Sequence, residues 1–313
     1  MPRAGYVQAK FYGADRKELK RITLGTATAA WTRIDQVVDA GEAAAVEVLL
    51  RWIPDARYDR TAVLFADALL ATTDAPVTDL KPRAEAAIKP AYTVALVGDS
   101  TVQAYPERSD RRGWGEMLAP FLSPQVQILN RAAGGRSTAT FRSEGLWTKV
   151  LAEKPDLVLI QFGHNDSHEP GRPESTEAAT TYADNLRRYV SDAKDAGIAV
   201  VLVTPPPRRV FAASGVSTVF RPYVAAMHAV AAETGVPCID LYDGGCALLQ
   251  ERGEAGSIAL FCSEKDRSHF SAAGALAMAR LVAEGLLALG DATRSLLRTS
   301  DQWPAVATAA QQP

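Results

Sequence analysis

No run of apolar residues in this 313-residue chain approaches the roughly 18 that cross a bilayer as a helix. The start, Met1-Pro-Arg-Ala-Gly-Tyr6, lacks the charged opening and apolar stretch of a signal peptide, which by itself reads as a cytosolic protein or one exported by another route. Cysteine is scarce: Cys238, Cys246 and Cys262, all in the last third. No C-x-x-C pair occurs, which argues against a zinc ribbon or a thioredoxin-type site. The odd count fits one disulfide with a spare thiol, or three reduced thiols. Charge of either sign is not in excess. A net charge of -2 gives no electrostatic reason to expect nucleic acid or an anionic membrane as partner. Internal repeats are absent. What remains is an ordinary globular balance, 47% hydrophobic and 22% charged, in a chain longer than one ordinary domain.

Organisation along the chain changes once. Residues 76–91 carry prolines and charges without a period and read as a linker. Before it, in residues 1–75, short strand-like runs at 6–12, 19–24, 31–38, 46–53 and 62–70 suggest a small all-β, sandwich-like domain that begins as though entered partway. After it, in 92–290, apolar strands at 93–99, 126–131, 156–162, 199–204 and 236–241 alternate with helical patterns. The clearest helices are 180–196, 220–234 and 271–289, the last with Ser271 as its N-cap. Such alternation predicts an α/β fold with a parallel sheet covered on both faces. The Ala, Gln and Pro-rich end of 291–313 reads as a loose tail.

The strand Thr93-Val-Ala-Leu-Val97 stops at Gly98-Asp99-Ser100. A serine there emerges at the carboxyl end of a buried strand, where open α/β sheets place ligand sites. The second strand leads to Gly134-Gly135-Arg136, the third to Gly163-His164-Asn165-Asp166. In one parallel sheet these ends converge. The amides of Ser100 and Gly135 with the side chain of Asn165 form a donor set suited to a developing oxyanion. A serine hydroxyl needs a base, and Asp266-Arg-Ser-His269 supplies an imidazole with its own carboxylate, the Ser-His-Asp division of labour.

These blocks resemble the SGNH hydrolases, or GDSL esterases, whose lettered residues would be Ser100, Gly135, Asn165 and His269, with Asp266 completing the triad. Gly113-Trp-Gly115, Gly134-Gly-Arg-Ser-Thr138, Gln161-Phe-Gly-His-Asn-Asp166 and Thr204-Pro-Pro-Pro-Arg-Arg209 bring the likeness closer to the rhamnogalacturonan acetylesterase-like branch. That resemblance implies a flavodoxin-like three-layer α/β/α fold with five parallel strands, no metal and no cofactor. It further implies removal of acetyl groups from plant cell-wall polysaccharide, and an extracellular or periplasmic setting. Residues 1–75 look like half of a carbohydrate-binding jelly roll.

Blander readings compete. Ser100 would serve as a helix cap, Gly135 and Asn165 as turn residues. His164 and His168, four apart, would suit zinc on a helix, yet Gly163 and Pro170 read as loop. His228 reads as structural. His164, Arg136, Trp114 and Arg208 divide between framework and substrate contact. The expected partner is an acetylated polysaccharide or oligosaccharide. The alternatives are a GDSL esterase on another ester, such as acetylated xylan or a short-chain lipid, and a carbohydrate-binding protein without turnover.

Overall fold

The computed structural model describes residues 6–12, 18–26, 45–51, 92–212 and 215–304. The chain forms two compact units, Met1–Ile88 and Lys89–Pro313. In the first, strands β1 (Tyr6–Tyr12), β2 (Glu18–Thr26) and β3 (Ala45–Arg51) make an antiparallel sheet in the order β2-β1-β3. The strand-like runs at 31–38 and 62–70 lie outside the described residues.

The second unit is built on a parallel sheet of five strands: β4 (Tyr92–Gly98), β5 (Val126–Asn130), β6 (Leu157–Gln161), β7 (Ala199–Val203) and β10 (Cys238–Ile239), ordered β10-β7-β6-β4-β5. Between β7 and β10 a small hairpin, β8 (Phe211–Ala212) with β9 (Gly215–Val216), rises from the loop. Helices α1 (Thr138–Ser143), α2 (Leu146–Ala152), α3 (Ala183–Asp195), α4 (Arg221–Thr234), α5 (Leu241–Gly256), α6 (Ala272–Ala288) and α7 (Asp291–Arg294) complete it.

Period-two alternation within wholly buried strands divides the core into two layers. Val94 and Leu96 of β4 join Leu157, Leu159, Val201 and Val203 under α5 and α6, where Leu249, Met278 and Val282 pack. Ala95 and Val97 join Val158, Ile160, Val200 and Leu202 under α3 and α4, where Leu186, Val190, Met227 and Val230 pack. This is the three-layer α/β arrangement expected.

Strand β4 runs first to its neighbour β5 on one side, and the chain then crosses to β6 on the other. The crevice between the carboxyl ends of β4 and β6 is therefore the switch point of the sheet, where ligands bind in such folds. The register sets Gly98 opposite Gln161, so the loops after both strands leave the sheet level with one another.

Two expectations need correction. The strand expected at 236–241 shrinks to two residues, because Asp240 accepts the Asp243 amide and caps α5. Residues 291–304 are no loose tail. Leu296 is buried, Ser123 N donates to Leu296 O at 2.8 Å, Arg298 N donates to Phe121 O at 2.9 Å, and Trp303 meets the edge of Phe121 at 5.5 Å.

Candidate active site

Immediately after β4 the chain tightens into a turn, with the Val102 and Gln103 amides both donating to Asp99 O at 3.2 and 3.1 Å. The turn lifts Ser100 out of the sheet while Asp99 and Thr101 point inward and are fully buried. Asp99 Oδ1 accepts from the Thr101 amide at 2.8 Å and is 2.7 Å from the Thr101 hydroxyl. Gln161 Oε1 accepts the Trp114 indole N–H at 3.0 Å and lies 2.8 Å from Thr101 Oγ1. This buried polar knot fixes the base of the nucleophile's turn. Burial pushes the Asp99 carboxyl above the usual range, against hydrogen bonds from Thr101 that lower it.

His269 Nε2 lies 3.0 Å from Ser100 Oγ, and His269 Nδ1 lies 2.9 Å from Asp266 Oδ2. The carboxylate accepts only, so Nδ1 carries the proton and Nε2 is left to take the one from Ser100. Asp266 Oδ1 also accepts the amides of Ser268 and His269 at 3.0 and 2.9 Å, while Arg111 and the Cys262 thiol reach Oδ2 at 3.3 Å. Partial burial would raise the Asp266 pKa, but the two amides and the imidazole outweigh it and hold the carboxyl well below the ordinary range.

The loop carrying this pair is held from both sides. Cys262 N donates to His269 O at 3.0 Å, and Arg112 N to Phe270 O at 2.9 Å. Arg209 is buried. Its amide donates to Arg267 O at 2.8 Å, its guanidinium to Glu264 O, and it lies 5.6 Å over the Phe261 ring.

The loops after β4, β5 and β6 each carry one candidate donor. The amides of Ser100 and Gly135 have no hydrogen-bond acceptor among the described residues, whereas Gly134 N donates to Gln103 Oε1 at 2.6 Å. Gln103 thus occupies the first glycine's amide and leaves the second's open. Gly135 has φ +78°, a left-handed conformation glycine adopts at no steric cost. Asn165 Nδ2 donates one hydrogen to Arg136 O at 2.9 Å. That bond orients the amide and leaves its second hydrogen for a ligand. Gly163 has φ +139°, and a Cβ there would sit 2.8 Å from Pro205 Cγ. The Asn165 loop therefore leaves β6 in a path only glycine follows comfortably.

Of the remaining sequence candidates, Trp114, His164 and Arg136 take framework positions. Trp114 has no exposed surface and gives its N–H to Gln161, so the expected substrate contact does not fit it. His164 is 3% exposed, has Nε2 2.8 Å from Pro206 O and stacks 4.4 Å from Phe220, which makes it a brace for the Asn165 loop. Burial, and then the Arg208 charge, pushes its pKa down to about 3. Arg136 folds back on its own loop, at 3.0 Å from Glu144 and 2.8 Å from Gly134 O. Arg208 stays half-exposed, 5.1 Å over Phe220, with its buried Nε unpaired among the described residues. His168 pairs with Glu174 at 2.7 Å and His228 with Asp240 at 3.1 Å. All three cysteines are free thiols.

Gln103 was not among the residues the sequence singled out for the site; it acts on a main-chain amide, and such a contact leaves no motif. Arg209 and Asp166 end two of the quoted blocks, and of the two readings open for Arg209, substrate contact or loop brace, the contacts above fit the brace.

Among known proteins, the chain is 37% identical over 202 residues to the Bacillus subtilis (strain 168) protein named "Probable rhamnogalacturonan acetylesterase YesY", covering 63% of this chain and 93% of that one. It is 35% identical over 220 residues to the rhamnogalacturonan acetylesterase RhgT of the same organism, covering 65% of this chain and 93% of that one. Among solved structures, B. subtilis protein YXIM_BACsu superposes with a TM-score of 0.58 at 24% identity, over 93% of this chain and 80% of that one. The acetylxylan esterase Axe2 of Geobacillus stearothermophilus gives 0.51 at 20% identity, over 68% and 99%. The profile of the GDSL-like Lipase/Acylhydrolase family matches residues 96–277, a span that opens within β4 and closes within α6, and the chain belongs to that family.

Proposed function

We propose that this protein is a serine O-acetylesterase of acetylated polysaccharide or oligosaccharide, and that its substrate is pectic, of the rhamnogalacturonan type. The observation that carries the reading is the chain Ser100 Oγ–His269 Nε2 at 3.0 Å and His269 Nδ1–Asp266 Oδ2 at 2.9 Å, facing two open amides and the Asn165 amide group. The names of the two B. subtilis relatives support the substrate class. A cell-wall substrate would place the reaction outside the cell or in the periplasm.

His269 takes the Ser100 proton as Oγ attacks the acetyl carbonyl carbon. The carbonyl oxygen, now an anion, is met by the amides of Ser100 and Gly135 and by Asn165 Nδ2. His269 then protonates the leaving sugar hydroxyl, and an acetyl-Ser100 remains. Water, giving its proton to His269, repeats the attack and releases acetate with Ser100 restored. Arg208 is proposed as a substrate contact: its half-exposed guanidinium, beside the Asn165 loop at 3.5 Å from His164 O, offers a cation to the carboxylate of a uronate in the polysaccharide.

Acetate release from acetylated rhamnogalacturonan, acetylated xylan and 4-nitrophenyl acetate, with binding measured in parallel, tests this. The pectic substrate should give the highest kcat/KM, and Ser100→Ala should abolish release while the protein stays folded. Higher kcat/KM on xylan would replace the pectic assignment. Binding without release would replace the enzyme with a binding protein.

A further inference from the structure

Asn165 is asked to do two things at once. One of its hydrogens must reach the oxyanion, while the other holds Arg136 O at 2.9 Å. A single side-chain hydrogen bond is a weak tie between two loops that must stay aligned for catalysis. The next residue supplies a stronger one. Asp166 is fully buried, and its Oδ1 accepts the Thr138 hydroxyl at 2.5 Å, the Thr138 amide at 3.1 Å and the Thr176 hydroxyl at 3.0 Å. Its Oδ2 lies 3.3 Å from the same Thr138 amide. The Thr138 hydroxyl proton goes to the carboxylate, because that oxygen also accepts from Asn185 Nδ2 at 3.1 Å. The main-chain carbonyl of Asp166 is held as well, by Thr176 N at 2.9 Å, while Tyr223 Oη spans the Thr176 and Asp166 carbonyls at 2.7 and 3.1 Å with its one proton.

The geometry is that of a clamp. Two consecutive residues of the loop after β6, Asn165 and Asp166, grip two alternate residues where the chain passes from the loop after β5 into α1, Arg136 and Thr138. Gly135 lies just ahead of the gripped pair. From this juxtaposition we infer that Asp166 is the positioning residue of the oxyanion hole, setting the separation between the Gly135 amide and the Asn165 amide group. The inference rests on the oxyanion assignment made above. Asp166 touches no reacting atom. Its effect comes through placement, and a misplacement of about 1 Å near reacting groups lowers rates by roughly a hundredfold.

The test uses the full chain and 4-nitrophenyl acetate, with thermal unfolding to establish that each variant is folded. Asp166→Ala should lower kcat by about a hundredfold with KM within about twofold of the parent, because binding of the small ester does not need the hole aligned. Asp166→Asn keeps one oxygen for the Thr138 amide and should recover about a tenth or more of the parent kcat, on the same placement argument. In an Asn165→Ala background, Asp166→Ala should lower kcat by less than about tenfold, since one of the two donors it aligns is already gone.

A folded Asp166→Ala with kcat within about threefold of the parent would overturn the clamp, as would a full hundredfold loss repeated in the Asn165→Ala background. If Asn165→Ala alone leaves kcat unchanged, the oxyanion assignment itself fails, and the clamp with it. Should Asp166→Ala not fold, Thr138→Val decides. It removes the 2.5 Å hydroxyl contact and keeps the amide, and it should lower kcat by about tenfold at unchanged KM. A parent-like kcat would overturn the proposal.

Discussion

Exchanging Asp266 for asparagine changes one atom of the site, and its consequence follows from who donates to whom. Every group around the carboxylate is a donor. Oδ1 receives the Ser268 and His269 amides at 3.0 and 2.9 Å, and Oδ2 receives His269 Nδ1 at 2.9 Å together with Arg111 and Cys262 at 3.3 Å. An asparagine has one oxygen for these two sets. If its oxygen stays with the two amides, its NH2 group confronts Nδ1. The imidazole must then accept at Nδ1 and carry its proton on Nε2, presenting a donor to the Ser100 hydroxyl. If the amide turns over, two main-chain hydrogen bonds are lost and the loop opens. The first arrangement sacrifices less and should prevail. A histidine in the wrong tautomer cannot take the serine proton, and inversion of this kind lowers kcat by about 10⁴. At about 1.4 kcal/mol per tenfold, the barrier rises by about 5 kcal/mol. Initial rates of acetate release, with Ser100→Ala as the zero and circular dichroism as the folding control, measure it. A folded Asp266→Asn enzyme retaining more than about a tenth of parent kcat would refute the tautomer argument, since a loss that small is far from the inversion value.

Three further outcomes follow from the same structure. The folded-state pKa of Asp266 is depressed, so its contribution to stability is present above the unfolded value near pH 4 and is lost as pH falls below it. A plot of unfolding midpoint against pH should drop less steeply below pH 4 in Asp266→Asn than in the parent, and identical slopes would contradict this. Gly163→Ala should destabilise the protein by roughly 1–3 kcal/mol, because the residue has φ +139° and the new Cβ would meet Pro205 Cγ at 2.8 Å; an unchanged urea midpoint would show that the loop can relax. The Cys238 thiol is pushed up to about 12 by burial and by Asp240, so iodoacetamide at pH 8 should leave it unmodified in the folded protein and label it after denaturation, as mass spectrometry of the peptide would report.

The parallel sheet was legible because β4, β6 and β7 are short, apolar and almost wholly buried, a pattern that few arrangements besides a sheet covered on both faces produce. Ser100, Gly135 and Asn165 were legible because each follows such a strand, and the chemistry of hydroxyl, amide and imidazole restricts how they combine. Helix α5 was not, since Gly244, Gly245 and Gly253 interrupt a sequence of weak amphipathic character, and the helix is continuous only across a kink at Gly253. Nor were the contacts that hold the site in register. Gln103 reaches the Gly134 amide 31 residues away, Asp166 the Thr138 amide 28 away, and Arg209 the Glu264 carbonyl 55 away. Main-chain partners are chemically the same at every position, so only the folded path reveals which one a side chain meets. Trp114 shows the reverse case: the sequence leaves it divided between framework and substrate contact, and only its burial in the fold makes it framework.

Nucleophile and base are 169 residues apart in sequence, and the order of synthesis gives that separation a meaning. On the ribosome, the strand that leads to Ser100 is complete long before the loop bearing Asp266 and His269 has been made. At about 5–20 residues per second, the serine emerges on the order of ten seconds or more ahead of the imidazole that touches it. Throughout that interval its hydroxyl is an ordinary alcohol, unable to acylate itself on passing esters. Reactivity waits on the last part of the chain to be made, the loop before α6 that brings His269 to Ser100.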